Sequence, residues 1–526
     1  MPETSWLPAD PYGDIAERMR VHQAPIPGNK WRLRDMLALA GMVLLGLLCV
    51  VLIPGFLYDV EHQEITWVLG LLGIWRYGWW FNHAQRARRY EKDKFPGIRS
   101  HCDRIWNGGW RPRHLHVQMT TYYEEEAITR HVIKALLDQI REIGVPATIW
   151  VGSGARHDER IIEEVIWEHG ADLDAEVAFI RQNQPGKRMA IGLVMRAIIR
   201  TAPDDDDLIL FMDGDAILGP GVLARCCAMF GADAKLEALT TDEEAITYGP
   251  SWMRRWLNMR FAQRRLAMQS HAMSDKVLTL TGRMSMFRAR QICNLSFVRT
   301  IEADFLDHWL WGRFRFLSGD DKSTWYFLLG RGAKMLYVPD VCVYTVEVIK
   351  GSGRDRMVQN LRRWSGNMLR NGARALQLGP GKVGWFIWWC VLDQRLAIWT
   401  MLVSPTLILL SLILDPGYIW IALSWILVSR LVLSLFLFRY AKRPDLTWPF
   451  LLYANQLLNA SVKSFMIFFP HKQRWANRGG QRAQHEVSLA YRAKSAVALF
   501  QFVTVALVFI QVVALVLGSG ALFQTF

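Results

Sequence analysis

Apolar and polar positions divide the chain into three stretches. Residues 36–56, MLALAGMVLLGLLCVVLIPGF, form an unbroken apolar run, long enough at about 1.5 Å per helical residue to cross a hydrocarbon core of about 30 Å. The run lies behind a polar segment, and no small-residue cleavage site follows it, so it reads as a retained span rather than a signal peptide. A second run, ITWVLGLLGIWRYGWWF (65–81), begins after a short link carrying Asp59, Glu61 and Glu64. Together they predict a transmembrane hairpin over 36–82, with 1–35 as a cytoplasmic N-terminal segment. Lys30, Arg32 and Arg34 precede it and Arg86, Arg88, Arg89, Lys92 and Lys94 follow it, which places both ends inside the cell.

From about 95 to 380 no apolar run is long enough to cross. Short strands alternate with amphipathic helices, the pattern of a cytoplasmic α/β domain with a largely parallel sheet. Between 381 and 526 the chain turns apolar again, with candidate spans at Leu396–Leu414, Ile419–Phe438 and Val497–Leu517. The Trp-rich WFIWWCVL (385–392) is short and suits an interface. Pro449–Phe469 has the length to span, but Lys472, Arg474, Arg478, Arg482, Arg492 and Lys494 follow it, and charge placement favours a re-entrant or interfacial segment.

The net charge of +14 with 51% hydrophobic residues excludes a disordered chain and suits a membrane protein. Seven cysteines lie scattered without a CxxC pair, so neither a zinc ribbon nor a secreted disulfide framework is indicated. The basic residues flank apolar spans and no recognition module is visible, which argues against nucleic acid. The arginine-rich helix WMRRWLNMRFAQRRLAM (252–268) is expected to lie at the interface with its arginines toward anionic lipid.

Candidate chemistry sits at strand ends, where open parallel sheets place ligands. HLHVQMTT ends at Thr120, Thr121 and Tyr122, and ATIWVGSG (147–154) is followed by Asp158. QPGKRM brings Lys187 and Arg188 to the start of a helix. The buried strand LILFM ends in Asp213 and Asp215, whose alternate spacing turns both carboxylates to one side. Hard oxygen donors in that position suit Mg2+ or Mn2+ beside a diphosphate, and the neighbouring Lys187 and Arg188 strengthen that reading over a solvated acidic turn. FRFLSGDDKSTW (314–325) adds Asp320 and Asp321. Either can cap the following helix, and either can take a proton from an attacking hydroxyl; Asp320 orienting and Asp321 acting as base accommodates both.

Taken together, Asp158, Lys187, Asp213 with Asp215, Asp320 with Asp321, and Arg363 with Trp364 resemble the ordered motifs of processive family 2 glycosyltransferases. GLLGIWRYG (70–78), residues 259–289, RFRFLSGDDKSTW (313–325), YVPDVCVYTVE (337–347) and DQRLAIW (393–399) are similar to the alginate-polymerase, or mannuronan synthase, branch of that family. The resemblance implies a GT-A fold, a mixed and mainly parallel sheet between N- and C-terminal membrane helices. It implies an inverting transfer of mannuronic acid from GDP-mannuronate into a β-1,4-linked polymer at a bacterial inner membrane. In this frame Asp158, Lys187, Arg188, Asp213 and Arg363 face the donor, and Asp213 and Asp215 hold the metal. Asp321 is the base with Asp320 beside it, while Arg283 and Trp364 contact the acceptor. NLRRW departs from the usual QxxRW by placing Asn360 at the glutamine position, with Gln359 one residue off.

The same resemblance implies a separate cyclic-di-GMP-binding membrane partner, since this chain shows no RxxxR and DxSxxG module of its own, and envelope proteins that carry the growing polysaccharide onward. Polar residues in the apolar C-terminal region, among them Asp393, Gln394, Arg395, Arg430, Asn455, Gln456, Asn459 and Lys463, are candidates to line a path through the bilayer. Two other readings stay open: a related synthase using a UDP-hexose, and a non-catalytic export subunit.

Overall fold

The computed structural model describes residues 7–8, 10–23, 33–55, 64–182, 186–315, 319–349, 351–413, 416–473 and 488–516. Among the described residues, the segment between the two apolar regions contains ten strands: β1 (Leu115–Thr121), β2 (Ala147–Ser153), β3 (Ala175–Arg181), β4 (Leu208–Asp213), β5 (Ala216–Leu218), β6 (Leu236–Tyr248), β7 (Met284–Arg288), β8 (Phe305–His308), β9 (Gly312–Arg315) and β10 (Lys334–Val348). Eight of them form one sheet in the order β3-β2-β1-β4-β7-β6-β10-β5, and β8 and β9 form a separate hairpin. β3, β2, β1 and β4 run parallel. β7 is antiparallel to both β4 and β6, while β10 returns parallel to β6. The sheet is therefore mixed, as expected, and its direction changes at the edge of β4 that carries Asp213.

The core explains this arrangement. Helix Lys187–Arg200 packs on β1 and β2, and helix Glu126–Ile143 packs on β5; β4 (LILFMD) is a continuous apolar run, as a strand buried on both faces should be, whereas β1 alternates Leu115, Val117 and Met119 with the buried polar His116 and Gln118. The glycine that ends helix Glu126–Ile143, Gly144, adopts φ 60° and its N–H closes onto Ile140 O, a left-handed stop that an L side chain would strain.

Among the described residues, three helices are long and apolar enough to cross a membrane: Trp385–Leu410, Tyr418–Phe438 and Leu489–Leu515. The two N-terminal apolar runs lie on helices Leu33–Val51 and Glu64–Arg89; Asp59 and Glu61 between them lie outside the described residues, as do Leu414, Leu517, Arg474, Arg478 and Arg482.

Two expectations are corrected here, those for residues 385–392 and for the arginine-rich helix. The Trp-rich stretch at 385–392 does not end at the interface but runs on as one helix, Trp385–Ile413. Its polar DQR step is accommodated because Asp393 pairs with Arg76 at 2.6 Å and Arg395 donates to Leu369 O at 2.9 Å. Residues 449–469 form a continuous helix, Trp448–Phe468, packed against helices Gly353–Gln377, Trp385–Ile413 and Tyr418–Phe438. Its amides face protein: Asn455 accepts from Trp256 Nε1 at 3.0 Å and Gln456 donates to Met401 O at 2.7 Å. The arginine-rich helix, Ser251–Ala272, turns Arg264 and Arg265 inward instead of toward lipid. Their partners are the buried acids of β6: Arg265 meets Asp242 at 2.9 Å and also Glu244, and Arg264 meets Glu243 at 3.0 Å.

Candidate active site

The strand ends at the β4 edge open into a cavity of about 940 Å³. Lys187, Asp213, Asp215, Arg283, Asp320, Asp321, Arg363 and Trp364 all line it, although they come from five separate parts of the sequence.

Asp213 ends β4 opposite Thr120 of β1. The next residue must be glycine: a Cβ on Gly214 would lie 2.8 Å from Thr120 O, closer than carbon approaches a carbonyl oxygen. That tight turn sends Asp215 back into the cavity. Burial, and then the charges of Asp213 and Glu347, push the Asp215 carboxyl up to about 6. Asp213 and Asp215 supply hard oxygen donors to one cavity, a donor set that fits a divalent cation of the Mg2+ or Mn2+ type.

Lys187 stands between the two acidic motifs, ion-paired to Asp213 and at 3.1 Å from Asp320. Burial opposes its charge, but the two carboxylates outweigh burial and hold the ammonium above the usual lysine range. The loop of Thr281, Gly282 and Arg283 closes over this pair; a Cβ on Gly282 would lie 2.9 Å from Lys187 Nζ.

Asp320 and Asp321 open helix Asp320–Gly330. The N-cap is Gly319, at φ 84°, and no side chain caps the helix, so the capping role considered for the aspartates falls to a residue that tolerates the left-handed region. Because the pair sits on the first turn of a helix and not on a strand, both carboxylates reach the cavity. Their environments separate them. Burial would raise Asp320, but Lys187 and Arg188 outweigh it and hold Asp320 below the ordinary aspartate range. Burial first and the Asp320 charge second raise Asp321.

On the far wall Arg283 donates to Glu243 at 2.8 Å and lies 3.6 Å from Glu347. Trp364 stacks on Trp256 with ring centroids 6.0 Å apart and planes 17° from parallel, and Arg260 lies 5.5 Å from the Trp364 ring. Trp256 in turn donates to Asn455 of the apolar bundle, so the Trp364 end of the cavity abuts the membrane helices.

A model of the glycosyltransferase-like family 2 matches residues 112–367. Glycosyltransferase alg8 of Pseudomonas syringae pv. tomato is 32% identical over 429 residues, 81% of this chain and 87% of that protein. The same-named protein of Azotobacter vinelandii is 34% identical over 82% of this chain and 88% of its own length. The chain belongs to the alg8 glycosyltransferase family. Among solved structures, a mannosyltransferase from Pyrobaculum calidifontis in complex with GDP-Man and Mn2+ aligns with a TM-score of 0.44 and 16% identity, over 77% of this chain and 99% of that chain.

Two sequence expectations do not match their places in this glycosyltransferase. Asp158 is fully buried and does not line the cavity; its Oδ2 accepts from Thr121 Oγ1 at 3.0 Å and Tyr123 N at 2.8 Å. It therefore fixes the loop on which Tyr122 and Tyr123 enter the cavity. Arg188 points the other way from Lys187, as adjacent helical residues do. It is 1% exposed and donates to Ile301 O at 2.6 Å, Thr300 O at 2.9 Å and Ser323 Oγ at 3.1 Å, beside Asp304. Arg188 thus steadies the helix that carries Asp320 and Asp321 from behind.

Sequence reasoning passed over Glu243, Glu347, Arg260 and Arg356, which also line this glycosyltransferase cavity. Glu347 is held between Arg283 and Arg356, the latter at 3.2 Å. A signal existed for it: Glu347 closes the motif YVPDVCVYTVE. In NLRRW, Gln359 lines the cavity while Asn360 is buried, so the glutamine one position off occupies the exposed side.

Proposed function

We propose that this glycosyltransferase polymerises mannuronic acid from GDP-mannuronate into β-1,4-linked poly-mannuronate, the alginate precursor, at the bacterial inner membrane. The observation that carries the reading is the division of the cavity. A cation-bridged carboxylate set, Lys187 with Asp213 and Asp320, faces an arginine-lined end that holds Arg260, Arg283, Arg363 and Trp364.

The donor diphosphate would lie toward Lys187 and Arg363, with Asp213 and Asp215 holding Mg2+ or Mn2+. When bound, the ion neutralises charge on the diphosphate. Asp321 accepts the proton of the acceptor hydroxyl; that oxygen forms a bond to the anomeric carbon from the face opposite the diphosphate. The bond from that carbon to the phosphate oxygen breaks, its electron pair leaves with GDP, and the anomeric configuration inverts. The raised proton affinity of Asp321 suits a base that must hold a proton once taken. Asp320 stays ionised to keep Lys187 in place. Arg283 and Arg260 give the acceptor end donors for sugar carboxylates, and the indole of Trp364 offers a flat face for a terminal sugar.

In this reading 95–380 is the cytoplasmic catalytic domain, 36–82 and 381–526 carry the membrane helices, and the product leaves from the Trp364 end through the bundle. A cyclic-di-GMP-binding membrane partner and envelope export proteins complete the route. The test is incorporation of labelled sugar by membranes containing the chain, from GDP-mannuronate and in parallel from UDP-glucose, with Asp321→Asn as control. Polymer from the GDP donor that vanishes in Asp321→Asn supports the proposal. Polymer from UDP-glucose alone overturns the donor assignment.

A further inference from the structure

Away from the catalytic cavity, three soft or borderline ligands converge from distant parts of the chain. His83 lies near the end of helix Glu64–Arg89, His271 in the last turn of helix Ser251–Ala272, and Cys390 near the start of helix Trp385–Ile413. One ligand atom of each lies within 4.8 Å of the other two. None of the three lines the catalytic cavity. We propose that His83, His271 and Cys390 form a zinc-type cation site that ties the membrane helices to the helix roofing the catalytic cavity.

Geometry and chemistry both point there. Zinc bonds of about 2.0–2.3 Å to nitrogen and sulfur put tetrahedral ligands about 3.5 Å apart, so the three atoms need to close by roughly 1 Å, a matter of side-chain rotation. His83 Nδ1 is already occupied by Ser270 Oγ at 2.8 Å, which orients the ring and leaves Nε2 as the ligating nitrogen, as outer hydrogen bonds do at histidine–metal sites. His271 is 4% exposed, and its Nδ1 is buried without a hydrogen-bond partner. Cys390 is a free thiol, 3% exposed.

The surroundings are compatible with a cation. Two cations stand nearby: Arg86 is drawn off to Ser270 O at 3.3 Å and to Ser274, and lies 3.6 Å from the Phe386 ring, while Lys322 is held by Leu278 O. Trp79 and Phe386 wall the cluster, at 4.9 and 5.6 Å from the His83 ring. Two imidazoles and one thiolate select zinc over the Mg2+ or Mn2+ that Asp213 and Asp215 would take. The fourth position is left for water.

The test uses the full chain in lipid nanodiscs, with Co2+ as the probe and saturating Mg2+ to fill the oxygen site. The expected result is one equivalent of Co2+ giving a thiolate-to-cobalt charge-transfer band, displaced by Zn2+. The band should be lost in Cys390→Ser and kept in Cys102→Ser. His83→Gln, at a half-buried position, keeps the proposal testable if Cys390→Ser does not fold; it should weaken Co2+ binding at least tenfold. Absence of the band in the unsubstituted chain, or its persistence in folded Cys390→Ser, overturns the site.

Discussion

Asp320 and Asp321 differ by one peptide bond and are pushed in opposite directions: Lys187 and Arg188 outweigh burial and hold Asp320 down, while burial first and the Asp320 charge second raise Asp321. If Asp321 is the base, Asp321→Asn should lower kcat by about 10²–10⁴-fold while leaving the donor KM nearly unchanged, read from initial rates of polymer formation. Asp320→Asn should raise the donor KM, because Lys187 loses one of its two carboxylate partners. The pH profile follows with its sign. A raised Asp321 must lose its proton before it can act, so kcat/KM should fall on the acid side at a pH above the ordinary aspartate range. Asp320→Asn removes a charge that raises Asp321, and should move that acid limb to lower pH; a limb that stays in place counts against Asp321 as the base. That these residues meet in one cavity was legible in the sequence, because DGD, GDD and RW are short motifs whose residues all reach it. Asp158 and Arg188 were not. Each is a charged residue next to a motif, and only packing decides whether such a side chain turns to the cavity or to the core.

At the level of elements, the hidden feature is β6. The run TTDEEA looks like a solvated acidic turn, since three adjacent acids rarely enter a core unpaired. The structure buries Asp242, Glu243 and Glu244 because the facing helix Ser251–Ala272 delivers Arg264 and Arg265, with Lys442 at 3.2 Å from Asp242. Neither half of this network is readable alone; the strand is acidic only because the helix is basic. Burial raises Asp242, but Arg265 and Lys442 outweigh it and bring the carboxyl down to about 2. A folded value below the unfolded one, about 3.9, means the stabilisation is present above about pH 4. It fades as pH falls toward about 2. Asp242→Asn should destabilise the chain by about 1–3 kcal/mol, since Arg265 keeps Glu244 but loses the other of its two carboxylates and Lys442 loses its nearer one, and the thermal midpoint in detergent should fall accordingly. The start of helix Asp320–Gly330 is a second element with a steric requirement. A Cβ on Gly319 would lie 2.2 Å from Asn367 Oδ1 at a φ of 84°, so Gly319→Ala should displace the helix start and depress kcat together with the thermal midpoint.

Across the whole molecule, hydropathy located three helices long and apolar enough to cross a membrane among the described residues, but not their joints. Apolar runs mark where a helix is greasy; they do not show that Trp385–Ile413 is continuous or that Trp448–Phe468 lies inside the bundle. Those facts depend on polar residues finding partners in other helices, and Arg76 with Asp393 is one long-range example, joining positions 317 residues apart at 2.6 Å. This pair links the N-terminal hairpin to the C-terminal bundle. Both side chains are largely removed from water, at 19% and 9% exposure, so removing one partner leaves a charge with little solvent to receive it. Arg76→Met and Asp393→Asn should each lower the thermal midpoint of the chain in nanodiscs by an amount equivalent to about 3–5 kcal/mol. The double variant should recover a large part of that loss, since it leaves no stranded charge. Additive losses would instead mean that each residue stabilises its own segment independently, and that the hairpin is joined to the bundle by apolar packing, such as that of helix Leu33–Val51 on helix Tyr418–Phe438.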